Sequence, residues 1–246
     1  MLQKIECWKK VIKDKALLSA IKESTLDNVA SMATLRKQWN LDEITIAAEL
    51  VDARNRAAGK LDYATTVVGD PVGVQQATSS AIAIHKAKRF KGHTGIVDFC
   101  CGIGADLHAL PEHAIGVDID PLRCWMAGEN TGKTVYCNDA TLYELPSDFV
   151  VHIDPSRRNS AGRIFELDSM LPTFDEVTKI TTSTAGGCIK LSPAINPEDI
   201  SKFSQPFEIE YIEENNRLVQ GVVWYGSLTK RTGQTTATSC KFGESF

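Results

Sequence analysis

The stretch GIVDFCCGIGADLHAL, residues 95–110, decides the fold of this chain. Its first half is an apolar run interrupted by Asp98, its middle a turn carrying Gly102 and Gly104, and its second half the start of a helix. A strand, tight turn and helix in that order aim backbone N–H groups and a helix N-terminus at whatever lies beyond the strand's carboxyl end. Glycines in the turn let a ligand approach the backbone closely, since they carry no Cβ. Outward from this stretch, the runs AIGVDID (114–120), KTVYCND (133–139), FVVHIDP (149–155) and GCIKLSP (187–193) each end in a turn or polar cluster. Short apolar runs of that kind suit strands buried in a parallel sheet, and their alternation with helical stretches predicts a doubly wound α/β fold. After Pro193 the runs FEIEYIEE and RLVQGVVWYG alternate in character and predict an antiparallel hairpin with Asn215 and Asn216 at its turn.

Residues 1–91 read as a helical region. Leu2, Ile5, Trp8, Val11 and Ile12 recur at helical spacing, and no proline occurs before Pro71. In the segment 41–60, Glu43 and Glu49 come early and Arg54, Arg56 and Lys60 late, the order a helix dipole favours, with Gly59 as its stop. The connection VVGDPVG (67–73) leads to a further predicted helix over 75–90. The sheet domain is expected from 92 to 228, and 229–246 as a loose polar tail.

A hydrophobic content of 43% over 246 residues is enough for a sizeable core, which excludes a natively disordered chain. The formal net charge of −4 excludes the strong positive field of a nonspecific polyanion binder. Seven cysteines, an odd count with no CxxC pair, point to reduced thiols rather than disulfides or zinc, and the histidines show no metal-ligand spacing. The N-terminus lacks the apolar core of a signal peptide, and no long uncharged apolar stretch occurs. The expectation is a cytoplasmic protein with no membrane span and no metal.

Asp98, at a strand end, is placed to accept from the amino group of a ligand. Twenty residues later Asp118 ends the next strand, the spacing at which an acid bonds ribose hydroxyls in nucleotide-binding units. Asp139 and Ala140 follow the third strand, where an acceptor and an apolar neighbour can read an adenine; a capped turn is the competing reading. A dinucleotide oxidoreductase is disfavoured because the loop reads CCGIGAD over 100–106 and misses the GxGxxG fingerprint. At the fourth strand end, Asp154 and Pro155 offer held acceptors of the kind that orient an attacking amine and stabilise its developing charge. Arg157 and Arg158 are candidates to clamp a phosphate or carboxylate, with Arg163 and Lys190 weaker ones. Cys100 and Cys188 read as small buried hydrophobes rather than nucleophiles, and His152 as a hydrogen-bonded core residue.

With these residues, the chain resembles a bacterial family of class I S-adenosylmethionine-dependent methyltransferases that carry a THUMP-like C-terminal domain. The likeness runs from about residue 45 to 228 through VGVQQATSSAIAIHKAKRF, DFCCGIGADLHAL, VDIDP, NDA, the DPSRR turn where relatives have DPARR, IKLSPAI and VVWYGSL. It implies a Rossmann-like seven-stranded sheet, mostly parallel, with a C-terminal antiparallel hairpin. It also implies S-adenosyl-L-methionine as cofactor, for which the candidate set is Asp98, Cys100, Gly102, Gly104, Asp118, Ile119, Asp139 and Ala140. Catalysis would fall to Asp154 and Pro155, and substrate contacts to Arg157, Arg158 and Lys190. By relation to RNA-modifying enzymes, a base of tRNA or rRNA is the implied acceptor. A small molecule or protein acceptor, or a nucleotide-binding module without catalysis, are the alternatives. Cys100 stands where the commonest methyltransferase loop has its first glycine, and the THUMP-like domain that relatives carry after VVWYGSL is not expected in the about eighteen residues that follow it here. Gln75, Gln76, Ala77 and Thr78 either close over the cofactor or dock the helical region onto the sheet.

Overall fold

Branched and aromatic side chains fit a pleated, fully covered surface, and the strands rich in them form the centre of the sheet. In the computed structural model, which describes residues 2–24, 28–157, 170–194, 198, 200, 203 and 205–240, these are Ile96–Phe99 (β1) and Val150–Ile153 (β4), with Ile115–Asp118 (β2) beside β1 and Val135–Cys137 (β3) at the sheet's edge. Ser156–Arg157 (β5) and Met170–Leu171 (β6) pair separately as a small antiparallel ribbon. Gly186–Leu191 (β7), Phe207–Glu214 (β8), Arg217–Gly226 (β9) and Thr235–Ser239 (β10) complete the main sheet, in the order β3-β2-β1-β4-β7-β9-β8-β10. Only β9 runs antiparallel to its neighbours. The chain leaves β1 at the sheet's centre and returns toward the opposite edge at β4, which opens a crevice at the strands' carboxyl ends.

Asn215 and Asn216 make the turn between β8 and β9 with φ of 54° and 61°. Asparagine tolerates this left-handed region, and two such residues in a row give the primed turn that matches strand twist. The sheet has eight strands where seven were expected. The eighth, β10, comes from the segment expected as a loose tail, and it pairs parallel with β8 from Thr235 to Ser239. Its β-branched threonines supply the pairing propensity that a reading based on polarity overlooks. The remainder of that tail, 241–246, lies outside the described residues.

The helical N-terminal region contains Leu2–Val11 (α1), Lys15–Glu23 (α2), Val29–Leu35 (α3) and Leu41–Ala57 (α4). Asn40 and Glu43 form a reciprocal capping box at the start of α4, and Gly59 follows its end at φ 73°. The predicted connection at 67–73 instead starts a helix, Pro71–Gln76 (α5), because Asp70 caps it and Pro71 suits its first turn. The helix expected over 75–90 is likewise interrupted: Ser79 caps a new one, Ser80–Ala87 (α6). Ala105–Ala109 (α7), Pro121–Thr131 (α8) and Phe174–Thr182 (α9) follow strands of the sheet. Among the described residues, no helix is long and apolar enough to cross a membrane.

Trp8, Val11, Leu50 and Val74 of the N-terminal region share one apolar cluster with Ile103, Leu122 and Met126, so that region rests directly on the loop after β1. Alternation along the strands splits the rest of the core. Val97, Phe99, Val151 and Ile153 face α9, whereas Ile96 and Val150 face Phe90, Leu107 and Trp224. Asp98 and His152 therefore project onto the same side as Ile96 and Val150, toward α6 and α7.

Candidate functional site

A cavity of about 1070 Å³ lies at the carboxyl ends of the central strands. Its wall brings together Asp98, Cys100, Gly102, Asp118, Ile119, Asp139, Ala140, Asp154, Pro155 and Lys190. Ten of the thirteen residues singled out from sequence thus meet at one place, although they come from five strand ends.

The loop after β1 turns through three residues of positive φ, Cys100 at 59°, Gly102 at 56° and Gly104 at 85°. The Gly102 N–H donates to Asp118 Oδ2 at 2.8 Å, and the Asp120 N–H donates to Asp118 Oδ1 at 2.9 Å. Burial pushes the Asp118 carboxyl up, and these two amides oppose that rise. Gly104 stands apart from the wall. It is the left-handed N-cap of α7, its N–H bonds Cys101 O at 2.8 Å, and an added Cβ would meet Ala127 and Thr131 of α8 at 3.0–3.1 Å. Burial drives the thiols of Cys100, Cys101 and Cys188 well above their usual range, which leaves them poor nucleophiles.

Asp139 caps its own turn, accepting from the N–H and hydroxyl of Thr141 at 2.8 and 2.7 Å, and lines the cavity as well. Ile119 is 70% exposed at the same rim. Opposite stands Asp154, whose Oδ2 accepts from Lys190 Nζ at 2.7 Å, beside the buried ring of Pro155. Burial presses the Lys190 ammonium down, but Asp154, Asp106 and Asp98 outweigh it and hold the group above the ordinary lysine range. Lys190 is therefore committed to Asp154. Arg158 and Arg163 lie outside the described residues, as does the side chain of Arg157, whose backbone belongs to β5.

A chain of charged and polar groups starts at the wall and runs inward through His152 and Lys86. Asp98 Oδ1 bonds His152 Nδ1 at 2.6 Å, and His152 Nε2 bonds Lys86 Nζ at 2.8 Å. Lys86 pairs with Asp106 Oδ1 at 2.7 Å, and Thr78 Oγ1 donates to Asp106 Oδ2 at 2.6 Å. His152 is the hydrogen-bonded core residue expected from its strand. Lys86 and Asp106 were not singled out. The available signal was Lys86 itself, a lysine midway between Ile82 and Phe90 on an apolar helical stripe, where burial demands partners. Gln75, Gln76, Ala77 and Thr78 all line the cavity, so the junction of α5 and α6 both forms wall and docks on α7. Arg123, which grips Asp70 through both carboxylate oxygens, and Glu176 also reach the wall. The lining holds Asp98, Asp106, Asp118, Asp139, Asp154 and Glu176 against Arg123 and Lys190, a balance that favours a cationic ligand over a phosphate within it.

No family model matches the chain. Over 188 residues it is 32% identical to uncharacterized S-adenosylmethionine-dependent methyltransferases from two strains of Mycobacterium tuberculosis. The matched region takes in 71% of this chain and 52% of each relative, so the chain spans about half the length of the curated relatives it matches. Among solved structures, a candidate methyltransferase from Porphyromonas gingivalis W83 superposes with a TM-score of 0.62 at 16% identity, covering 89% of this chain and 59% of that one. The shared architecture is the α/β fold of that protein, a mostly parallel sheet with antiparallel pairing toward the C-terminus and helices before it.

Proposed function

We propose that this chain, which belongs to the S-adenosylmethionine-dependent methyltransferases by its 32% identity to the mycobacterial relatives over 71% of its length, methylates a nitrogen of an RNA base. The observation that carries the cofactor half is the meeting of Asp98, Asp118 and Asp154 around one cavity beside a glycine-bearing turn. The likeness to two mycobacterial S-adenosylmethionine-dependent methyltransferases supports it.

The residues fit such a cofactor. Asp98 Oδ2 is buried without a hydrogen-bond partner and suits an ammonium group, Asp118 suits ribose hydroxyls, and Asp139 with Ala140 and Ile119 suits an adenine. The cofactor supplies an electrophilic methyl group on a sulfonium. At the acceptor, the Asp154 carboxylate takes the hydrogen bond of an attacking amine and stabilises the positive charge that develops there. Lys190 fixes that carboxylate, and Pro155 limits the movement of the turn. For RNA, Arg157 and Arg158 are the candidates to hold backbone phosphate. The acidic lining specifically favours a second reading, in which the acceptor is a small cationic amine held entirely inside the cavity.

Calorimetric titration with S-adenosylhomocysteine tests the first half; absence of heat and of any thermal shift at millimolar ligand rejects it. Incubation with methyl-labelled cofactor and either total RNA or a small-molecule extract tests the second. Label in the RNA supports the proposal, and label confined to small molecules supports the alternative.

A further inference from the structure

We propose that Lys86 and His152 are positioning residues for ligand binding: together they orient Asp98 so that its Oδ2 is left to receive the α-ammonium of the cofactor. This inference rests on the cofactor reading above and adds to it two residues that do not themselves line the cavity. An ammonium only donates, so His152 Nε2 must accept from Lys86, which puts the ring proton on Nδ1. That proton is donated to Asp98 Oδ1 at 2.6 Å, which fixes the carboxylate's rotation and leaves Oδ2 buried without a hydrogen-bond partner in a residue that lines the cavity. Lys86 is 1% exposed, His152 1% and Asp98 0%, so each is held by its protein partners rather than by bulk solvent. Lys86 is held in turn by Asp106, and Asp106 by Thr78 at the junction of α5 and α6. The docked helical region thereby sets the geometry of a carboxylate on β1, a longer version of the second contact that orients ligating side chains elsewhere.

The groups that interact electrostatically with Asp98 include His152 on β4, Lys86 on α6, Asp106 on α7, Lys190 and Cys188 on β7, Cys100 and Cys101 in the loop, and Lys133 between α8 and β3. Burial raises the Asp98 carboxyl's affinity for its proton, and the hydrogen bond from His152 and the nearby Lys86 ammonium work against that. Preference for an ammonium-bearing ligand must accordingly grow as pH rises and Asp98 ionises.

The experiment titrates the full chain with S-adenosylhomocysteine and with 5′-methylthioadenosine, which has the nucleoside but no α-ammonium. If the unaltered protein binds neither, the cofactor reading fails and this inference falls with it. If it binds both, Lys86→Met is expected to weaken S-adenosylhomocysteine roughly tenfold, the worth of one charge-assisted hydrogen bond, while methylthioadenosine changes less than about twofold. Lys86→Arg should restore most of the difference. Should Lys86→Met not fold, His152→Gln carries the same expectation, since it breaks the link to Lys86. Equal losses for the two ligands, or none for either, overturn the proposal. The unaltered protein adds an arm that needs no variant: its preference for S-adenosylhomocysteine over methylthioadenosine rises with pH, with a midpoint that moves upward in either variant. A flat profile, or a midpoint that stays put, also overturns it.

Discussion

Gly102 donates its backbone N–H to the carboxylate of Asp118 at 2.8 Å, joining the turn after β1 to the end of β2. One acidic side chain thus shapes the loop and offers its remaining lone pairs to the cavity. Replacing it removes both effects. Asp118→Ala is expected to weaken S-adenosylhomocysteine by roughly ten- to a hundredfold, because hydrogen bonds to a charged group contribute about 1.5–3 kcal/mol. Asp118→Asn, which keeps one acceptor, should lose less. Calorimetry on the two variants checks this order, and equal affinity for Asp118→Ala and the unaltered protein contradicts the ribose assignment.

The Asp154–Lys190 pair separates binding from turnover. Asp154→Asn keeps an acceptor oxygen but forfeits charge, so S-adenosylhomocysteine affinity should stay within about twofold while methyl transfer falls by roughly a hundredfold, the usual loss when one preorganised charge-stabilising group is removed. The pH dependence of the pair follows from the raised affinity of Lys190 for its proton. A raised value in the folded state means the contribution to stability is complete below the ordinary lysine value of 10.5 and disappears only as pH climbs through the higher folded one. Denaturation midpoints of the unaltered protein and Lys190→Met should therefore differ by a constant amount from pH 7 to 10 and converge above that.

Much of the sheet was legible because period-two and continuous apolar runs report burial directly, and each of the five parallel strands read from 95 to 193 is present. The hairpin turn was legible because two adjacent asparagines tolerate positive φ. What escaped was structure set by partners far away in sequence. Thr235–Ser239 looks like tail until β8 offers it an open edge. Lys86 finds its ring partner only when α6 docks over His152, 66 residues later. The reading of Lys190 as a substrate contact likewise missed Asp154, whose approach depends on the register of β4 against β7.

Gly104 and Gly132 allow backbone strain to be separated from crowding. Both have positive φ, 85° and 68°, but a Cβ at Gly132 meets nothing within 4 Å, whereas one at Gly104 presses on Ala127 and Thr131. Gly132→Ala should cost about 1 kcal/mol for the left-handed conformation alone. Gly104→Ala should cost about 2–4 kcal/mol, since it adds overpacking against α8. Urea denaturation distinguishes them, and equal losses would mean that α8 yields freely to the added methyl.

Acid stability rests heavily on Glu210, a buried carboxylate of β8. Burial works against its charge, but hydrogen bonds from His85, Thr238 and the Trp224 ring nitrogen overcome that and bring its carboxyl down to about 2 from 4.5. Its partners come from α6, β9 and β10, so one carboxylate ties the helical region and the added edge strand to the sheet. For a carboxyl depressed by folding, the stabilisation is present above the unfolded value and is lost as pH falls through the folded one. The contribution here is on the order of 3 kcal/mol at neutral pH, fading from about pH 5 down to about pH 2. Glu210→Gln should be less stable at pH 7 and should lose less than the unaltered protein between pH 5 and 2.5. Other depressed carboxyls, Glu43 and Asp14 among them, contribute equally to both proteins and cancel in the difference. Parallel stability curves for the two across that range would show that Glu210 is not the group whose protonation weakens the fold.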